Sequence, residues 1–79
     1  MDGLNLKNST GRKLTLIVEP IAEEYAFAAG DLLELRPPLY LGSSEVIDVE
    51  FTGDYVVVYA DEDVSITRDG KPVPCENLA

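Results

Sequence analysis

Tyr25–Pro38 reads YAFAAGDLLELRPP, and its punctuation decides how the chain is built. Tyr25 and Phe27 alternate with Ala26, Gly30-Asp31 breaks the run, Leu33 and Leu35 alternate with Leu32, Glu34 and Arg36, and Pro37-Pro38 stops it. Alternation of period two is the signature of a strand with one buried face. Glycine gives the break a backbone that can turn with positive φ. Proline cannot donate to a ladder, so the second strand must end there.

The same period recurs on both sides of this stretch. Leu14, Leu16 and Val18 alternate with Thr15, Ile17 and Glu19; Ile47, Val49 and Phe51 follow the same rule; so do Tyr55, Val57 and Tyr59, and then Val64 and Ile66. β-branched and aromatic residues dominate these runs, as they do in strands. Ile21–Ala29 contains helix formers, but Pro20 and Gly30 bracket it tightly, so it reads as a loop into a short strand at Glu24–Phe27.

Turn chemistry separates the strands. Asn8-Ser9-Thr10-Gly11 suits a four-residue hairpin loop between Leu4–Lys7 and Arg12–Glu19. Gly53-Asp54 lies between Glu45–Phe51 and Tyr55–Ala60. Asp69-Gly70 is a two-residue hairpin signal, which places Gly70 at positive φ and folds Val64–Arg68 onto Lys71–Val73. Pro72 and Pro74 confine that last strand to an edge. The expected architecture is all-β: a small antiparallel sandwich or partly closed barrel of six to eight short strands. One domain spans 1–79, with 76–79 a loose tail.

Alternation also names a core of Leu14, Leu16, Val18, Tyr25, Phe27, Leu33, Leu35, Ile47, Val49, Phe51, Val57, Tyr59, Val64 and Ile66. Ile17, Leu32, Val56 and Val58 fall on the opposite faces. They are covered by barrel closure, or they form a contact patch for another protein or for a second copy in a homodimer.

Charge narrows the function classes. Fifteen acids face six bases, a net charge of −9. Nucleic acids and anionic membranes are recognised by Lys and Arg, so neither is an expected partner. An acidic surface serves solubility, or it meets a basic protein. No run approaches the roughly twenty apolar residues that span a bilayer. The first thirteen residues, MDGLNLKNSTGRK, show no signal-peptide pattern, and the single cysteine, Cys75, has no disulfide partner within the chain. The reading is a soluble, cytoplasmic protein.

Catalytic and metal chemistry find little material. There is no histidine, so Cys75 lacks a base and a zinc or copper site lacks ligands. Asp61-Glu62-Asp63 is the one run of acids to consider for a hard cation, but it lacks EF-hand spacing and reads better as a solvated turn or part of an acidic contact face. Glu19, Glu23 and Glu24 flank Pro20, yet a paired-carboxylate hydrolase needs a cleft that so small a core cannot build. No G-x-S-x-G elbow or phosphate loop occurs. No catalytic residue, cofactor or metal is expected, and the protein reads as a non-enzyme.

Two resemblances carry over to these residues. Ala29-Gly30-Asp31, Leu33, Leu35 and Pro37-Pro38 resemble a step of a cupin-like small barrel, which implies a shape but no metal, because the histidines are absent. Asn8–Asp31, with Gly11, Leu14, Leu16, Glu19, Pro20, Glu24, Tyr25, Gly30 and Asp31, is similar to a group of small bacterial all-β proteins without an assigned activity. That resemblance implies a bacterial all-β domain and carries no mechanism; the leading reading of the chain is a non-enzymatic β domain that acts through protein–protein contact. Two alternatives stand beside it: a mini-barrel holding a small ligand among Tyr25, Tyr40, Tyr55 and Tyr59, and an acidic inhibitor or immunity-type protein that masks a basic site.

With so uneven a charge balance, carboxylates repel one another across a small surface. Salt screens that repulsion beyond about 10 Å at 0.1 M. The melting temperature should therefore rise from low to moderate salt; a flat or falling Tm in calorimetry would contradict it.

Overall fold

The computed structural model describes residues 3–36, 48–60 and 64–77. The described residues form eight strands: β1 (Leu4–Lys7), β2 (Leu14–Glu19), β3 (Glu23–Phe27), β4 (Leu32–Arg36), β5 (Asp48–Thr52), β6 (Tyr55–Tyr59), β7 (Ser65–Arg68) and β8 (Lys71–Pro72). They form two four-stranded sheets, ordered β1-β4-β7-β8 and β3-β2-β6-β5. The sheets stay separate, so the fold is a small sandwich and not a closed barrel. The described residues include no helix, and none therefore long and apolar enough to cross a membrane.

All pairings are antiparallel except one: β2 and β6 run parallel, with Leu16 beside Val56 and Val18 beside Val58. Thr15 N–H donates to Asp54 O (2.9 Å) and Ala60 N–H to Glu19 O (3.0 Å), lengthening that ladder at both ends. The tight hairpins behave as their turn residues dictate. At Asp69-Gly70 both residues have positive φ, 53° and 78°, the type I′ pattern. Gly30 likewise has φ 83°.

The loop Asn8–Gly11 does not join a hairpin. β1 pairs with β4, and β2 pairs with β3, so the chain crosses from one sheet to the other at Asn8. Gly30-Asp31 makes the return crossing, from β3 to β4. The two crossings touch: Asn8 N–H donates to Asp31 O (2.9 Å) and Gly30 N–H to Asn8 O (2.8 Å). Asn8 is 1% exposed and is the one fully buried polar residue among those described. Its side-chain Nδ2 donates to Phe27 O and Arg12 O, both at 2.8 Å. Its Oδ1 accepts from Thr10 N (3.0 Å) and Thr10 Oγ1 (2.6 Å). A buried amide is tolerated only when its hydrogen bonds are met, and here every group is used.

The core lies between the sheets. Leu14, Leu16, Val18, Tyr25, Phe27, Val56 and Val58 from one sheet meet Leu33, Leu35 and Ile66 from the other, with Leu4, Leu6, Val49 and Val64 packed at the margin. The β6 part of the expected core is inverted. Val56 and Val58 are fully buried, Val57 is half-buried, Tyr59 is exposed and Phe51 is 72% exposed. The physical reason is register. Gly53-Asp54 is a two-residue turn that sets Thr52 opposite Tyr55, so Val49 and Phe51 share a face with Val58 and Val56. Phe51 shares the inner side through its register with Val56, but it stands near the end of an edge strand and stays exposed. Ile47 lies outside the described residues.

The expected loose tail is also corrected in part. Glu76 N–H donates to Glu24 O (2.7 Å), and Asn77 bridges Glu24 N–H (2.8 Å) and Ala22 O (2.8 Å). Residues 78–79 lie outside the described residues.

Asn8→Ala should destabilise the fold by about 2–4 kcal/mol, because it strands the Phe27 carbonyl and the Thr10 amide away from their partners. Asn8→Asp should cost at least as much at neutral pH, since a carboxylate then faces two carbonyl oxygens, and should recover partly as acid restores a donor. Urea unfolding of both variants checks this; wild-type midpoints for Asn8→Ala would remove Asn8 from its central role.

Candidate functional site

The outer side of β3-β2-β6-β5 carries two exposed tyrosines, Tyr55 and Tyr59, while Leu32 is exposed on the other sheet and Phe51 on the inner side of β5. β6 reads YVVVY; with Val56 and Val58 turned inward, Tyr55, Val57 and Tyr59 turn outward. The parallel ladder places Ile17 beside Val57, Thr15 beside Tyr55 and Glu19 beside Tyr59. On the other side of β6, Glu50 lies opposite Val57 and Asp48 opposite Tyr59. On β3, Glu24 lies opposite Ile17. One row across the sheet therefore reads Glu24–Ile17–Val57–Glu50. At about 4.8 Å per strand, its acids stand roughly 14 Å apart with two β-branched residues between them.

Tyr59 sits among three of the acids. Its hydroxyl approaches Glu50 Oε1 at 3.5 Å. Its ionisation is pushed up, first by the negative charge of Glu50, then by partial burial and by Glu19. The outward positions of β2, β3, β5 and β6 hold no lysine or arginine. Lys7, Arg36 and Lys71 are on the opposite sheet, exposed Lys13 immediately precedes β2 at its Thr15 end, Arg12 pairs with Asp54 (3.1 Å) at the β5–β6 turn, and Arg68 pairs with Asp31 (2.7 Å).

The outer face of β1-β4-β7-β8 is different in kind. Arg36 Nε holds Glu34 at 2.9 Å, and this pairing keeps the Glu34 carboxyl below its usual range. Thr67 Oγ1 also donates to Glu34 (3.3 Å). Leu32 is exposed here, opposite Lys7.

The residues expected to form one contact patch are thus dispersed. Val56 and Val58 belong to the core, because the β5–β6 turn sets the opposite phase. Ile17 remains on the outer face of its sheet, and Leu32 faces out from the other sheet. Asp61, Glu62 and Asp63 lie outside the described residues. Val57, Tyr55 and Tyr59 replace the two valines as neighbours of Ile17. Counting outward from a two-residue Gly53-Asp54 turn would have found them.

Neither of the other candidate sets converges. Glu19 and Glu24 face outward, whereas Glu23 lies on the inner side, where it accepts the Tyr25 hydroxyl hydrogen bond at 2.7 Å. Tyr25 is buried, while Tyr55 and Tyr59 face outward, and Tyr40 lies outside the described residues. Those tyrosines therefore do not line one cavity. Among the described residues no three of His, Cys, Asp and Glu gather as a metal-binding group.

Compared with protein-family models, curated proteins and solved structures, the chain matches none.

Tyr25 has a measurable pH consequence. Burial, then its bond to Glu23, pushes the phenol well above its usual range. Above about pH 10 an unfolded chain would release this proton while the fold retains it, so Tyr25's contribution is full below that pH and declines above it. Tyr25→Phe should cost about 1 kcal/mol at pH 8, and its deficit should shrink from pH 9 to 11. Parallel denaturation curves across that range, with a constant deficit, would refute the assignment.

Proposed function

We propose that the protein is a non-enzymatic β domain that acts by docking a basic protein partner on the outer face of β3-β2-β6-β5. The observation that carries this reading is the combination on one sheet face of Tyr55, Val57, Tyr59 and Ile17 with Glu19, Glu24, Asp48 and Glu50, and no base among them. A charge-free apolar patch would suit many partners. An acid-rimmed one selects a partner whose contact surface has an apolar centre and a Lys or Arg margin. Exposed tyrosines suit such contacts, since they bring large area with few rotatable bonds and a hydroxyl for the wet rim.

The acidic-inhibitor form of this reading is the case in which the partner's basic surface is its own active site. The same face serves both forms, and soluble cytoplasmic residence is part of the proposal. A nucleic-acid partner would demand the opposite charge.

Val57→Lys tests the face. It places a cation at the centre of the acidic ring, where the fold accepts it and a basic partner does not. Proteins captured on the immobilised wild type should be lost with Val57→Lys, and their affinity should fall with rising salt. Leu32→Lys, on the opposite sheet, should leave capture unchanged. Partners retained equally by both lysine variants would overturn the proposal.

A further inference from the structure

The outer edge of β3 is closed by the end of the described chain. Glu76 N–H donates to Glu24 O at 2.7 Å, as a neighbouring strand would. The matching acceptor for Glu24 N–H is the Asn77 side chain, Oδ1 at 2.8 Å, while its Nδ2 donates to Ala22 O at 2.8 Å. One side-chain amide thus does the work of a peptide group in a ladder. Cys75 Sγ sits 3.2 Å from the same Oδ1, and Val73 and Cys75 pack on the margin of the core. Val73 N–H still belongs to the other sheet, through Ile66 O (3.0 Å). The segment therefore leaves one sheet and within four residues covers the edge of the other.

The four sheet edges are protected by different means. β8 is two residues long and contains Pro72; β1 is short and carries Lys7; β5 carries Asp48 and Glu50. Short length, lysine, proline and charge all discourage strand addition. β3 has two acids at its beginning, but its second half, Tyr25-Ala26-Phe27, is uncharged.

We propose that Val73–Asn77 is an edge guard that keeps the protein monomeric, and that the occupant it excludes is the β3 edge of a second copy. The register that permits this is written in β3. The N–H and C=O of Glu24 face the guard, so those of Ala26 share that edge. Ala28 N–H and O are already held by Asp31 Oδ2 (3.0 Å) and Asp31 N–H (3.0 Å). The pairing of two copies that uses only Glu24 and Ala26 is therefore antiparallel about Tyr25. It sets Glu24 opposite Ala26 of the other copy, so the acids do not directly oppose one another. It sets Tyr25 opposite Tyr25 of the other copy, an aromatic cross-strand pair. The two second sheets then become one continuous sheet of twice the width. Arg68 Nη2 lies 3.4 Å from Ala26 O, a long contact secondary to its 2.7 Å bond to Asp31, and it yields to a backbone donor. This proposal does not depend on the docking face.

The test uses the full chain with Asn77→Ala, which removes two of the bonds, and Asn77→Ala combined with Glu76→Pro, which removes all three. Sedimentation equilibrium is run at about 0.2 M salt, where charge repulsion is screened over roughly 7 Å. Wild type should remain monomeric. The double variant should dimerise at least about tenfold more tightly, equivalent to about 1.4 kcal/mol, and Asn77→Ala should fall between them. Hydrogen exchange should show the Ala26 amide gaining protection in the dimer. Adding Ala26→Pro to the double variant should return it to monomer, because that edge donor is gone. Monomeric variants with a freely exchanging Glu24 amide would overturn the proposal. So would a variant that simply unfolds, or a dimer unaffected by Ala26→Pro.

Discussion

The sandwich depends on a buried amide at the place where the chain twice changes sheet. Asn8 ends β1's ladder against Asp31 and Gly30, and its side chain ties in Phe27, Arg12 and Thr10. Few residues can do this. A side chain at this point must offer two donors and an acceptor in one plane, with no net charge, inside a core that leaves it 1% exposed. In a core this small a single stranded carbonyl is a large fraction of the net stability. The two crossings are therefore coupled. β1 and β4 are held in one sheet while β2 and β3 are held in the other, and that separation makes a sandwich out of strands that alternate in sequence between the sheets.

Once the sheets are placed, tight turns decide which side chains face outward. The Gly53-Asp54 turn links β5 and β6 with no freedom of phase, and the parallel β2–β6 ladder carries that phase into the sheet. Val56 and Val58 are branched, compact and without polar atoms, so they suit an interior shared with Leu16 and Leu33. Tyr55 and Tyr59 are exposed, and the Tyr59 hydroxyl approaches Glu50. The acidic outer face is a consequence of the same phase, since Glu19, Asp48 and Glu50 fall on the tyrosine side.

Charge is distributed with the same regularity. Arg12, Arg36 and Arg68 each take a carboxylate partner, at turns or on the opposite sheet, leaving the acids around Tyr59 without a base beside them. Isolated exposed ion pairs contribute little to stability, so their larger effect is on the surface field. They neutralise acids in one region and leave another region strongly negative, which is the form of surface that steers a basic partner.

The sequence by itself determined the class of fold, because period-two alternation and glycine turns act locally. Leu14, Leu16, Val18, Tyr25, Phe27, Leu33, Leu35 and Ile66 could be read as core from alternation alone, and Asp69-Gly70 as a hairpin from its need for positive φ. The candidate face was only partly legible: Ile17 was visible, but Val57 and the two outer tyrosines were not, since YVVVY is apolar in either phase. Tertiary structure decided what local pattern cannot carry. It set the parallel β2–β6 pair, the two sheet crossings that Asn8 joins, and the end of the chain that closes β3. Each rests on contacts between residues distant in sequence, such as Asn8 with Phe27 or Glu24 with Asn77. A period of two says that a strand has two faces; only its neighbours in space determine which face is inside.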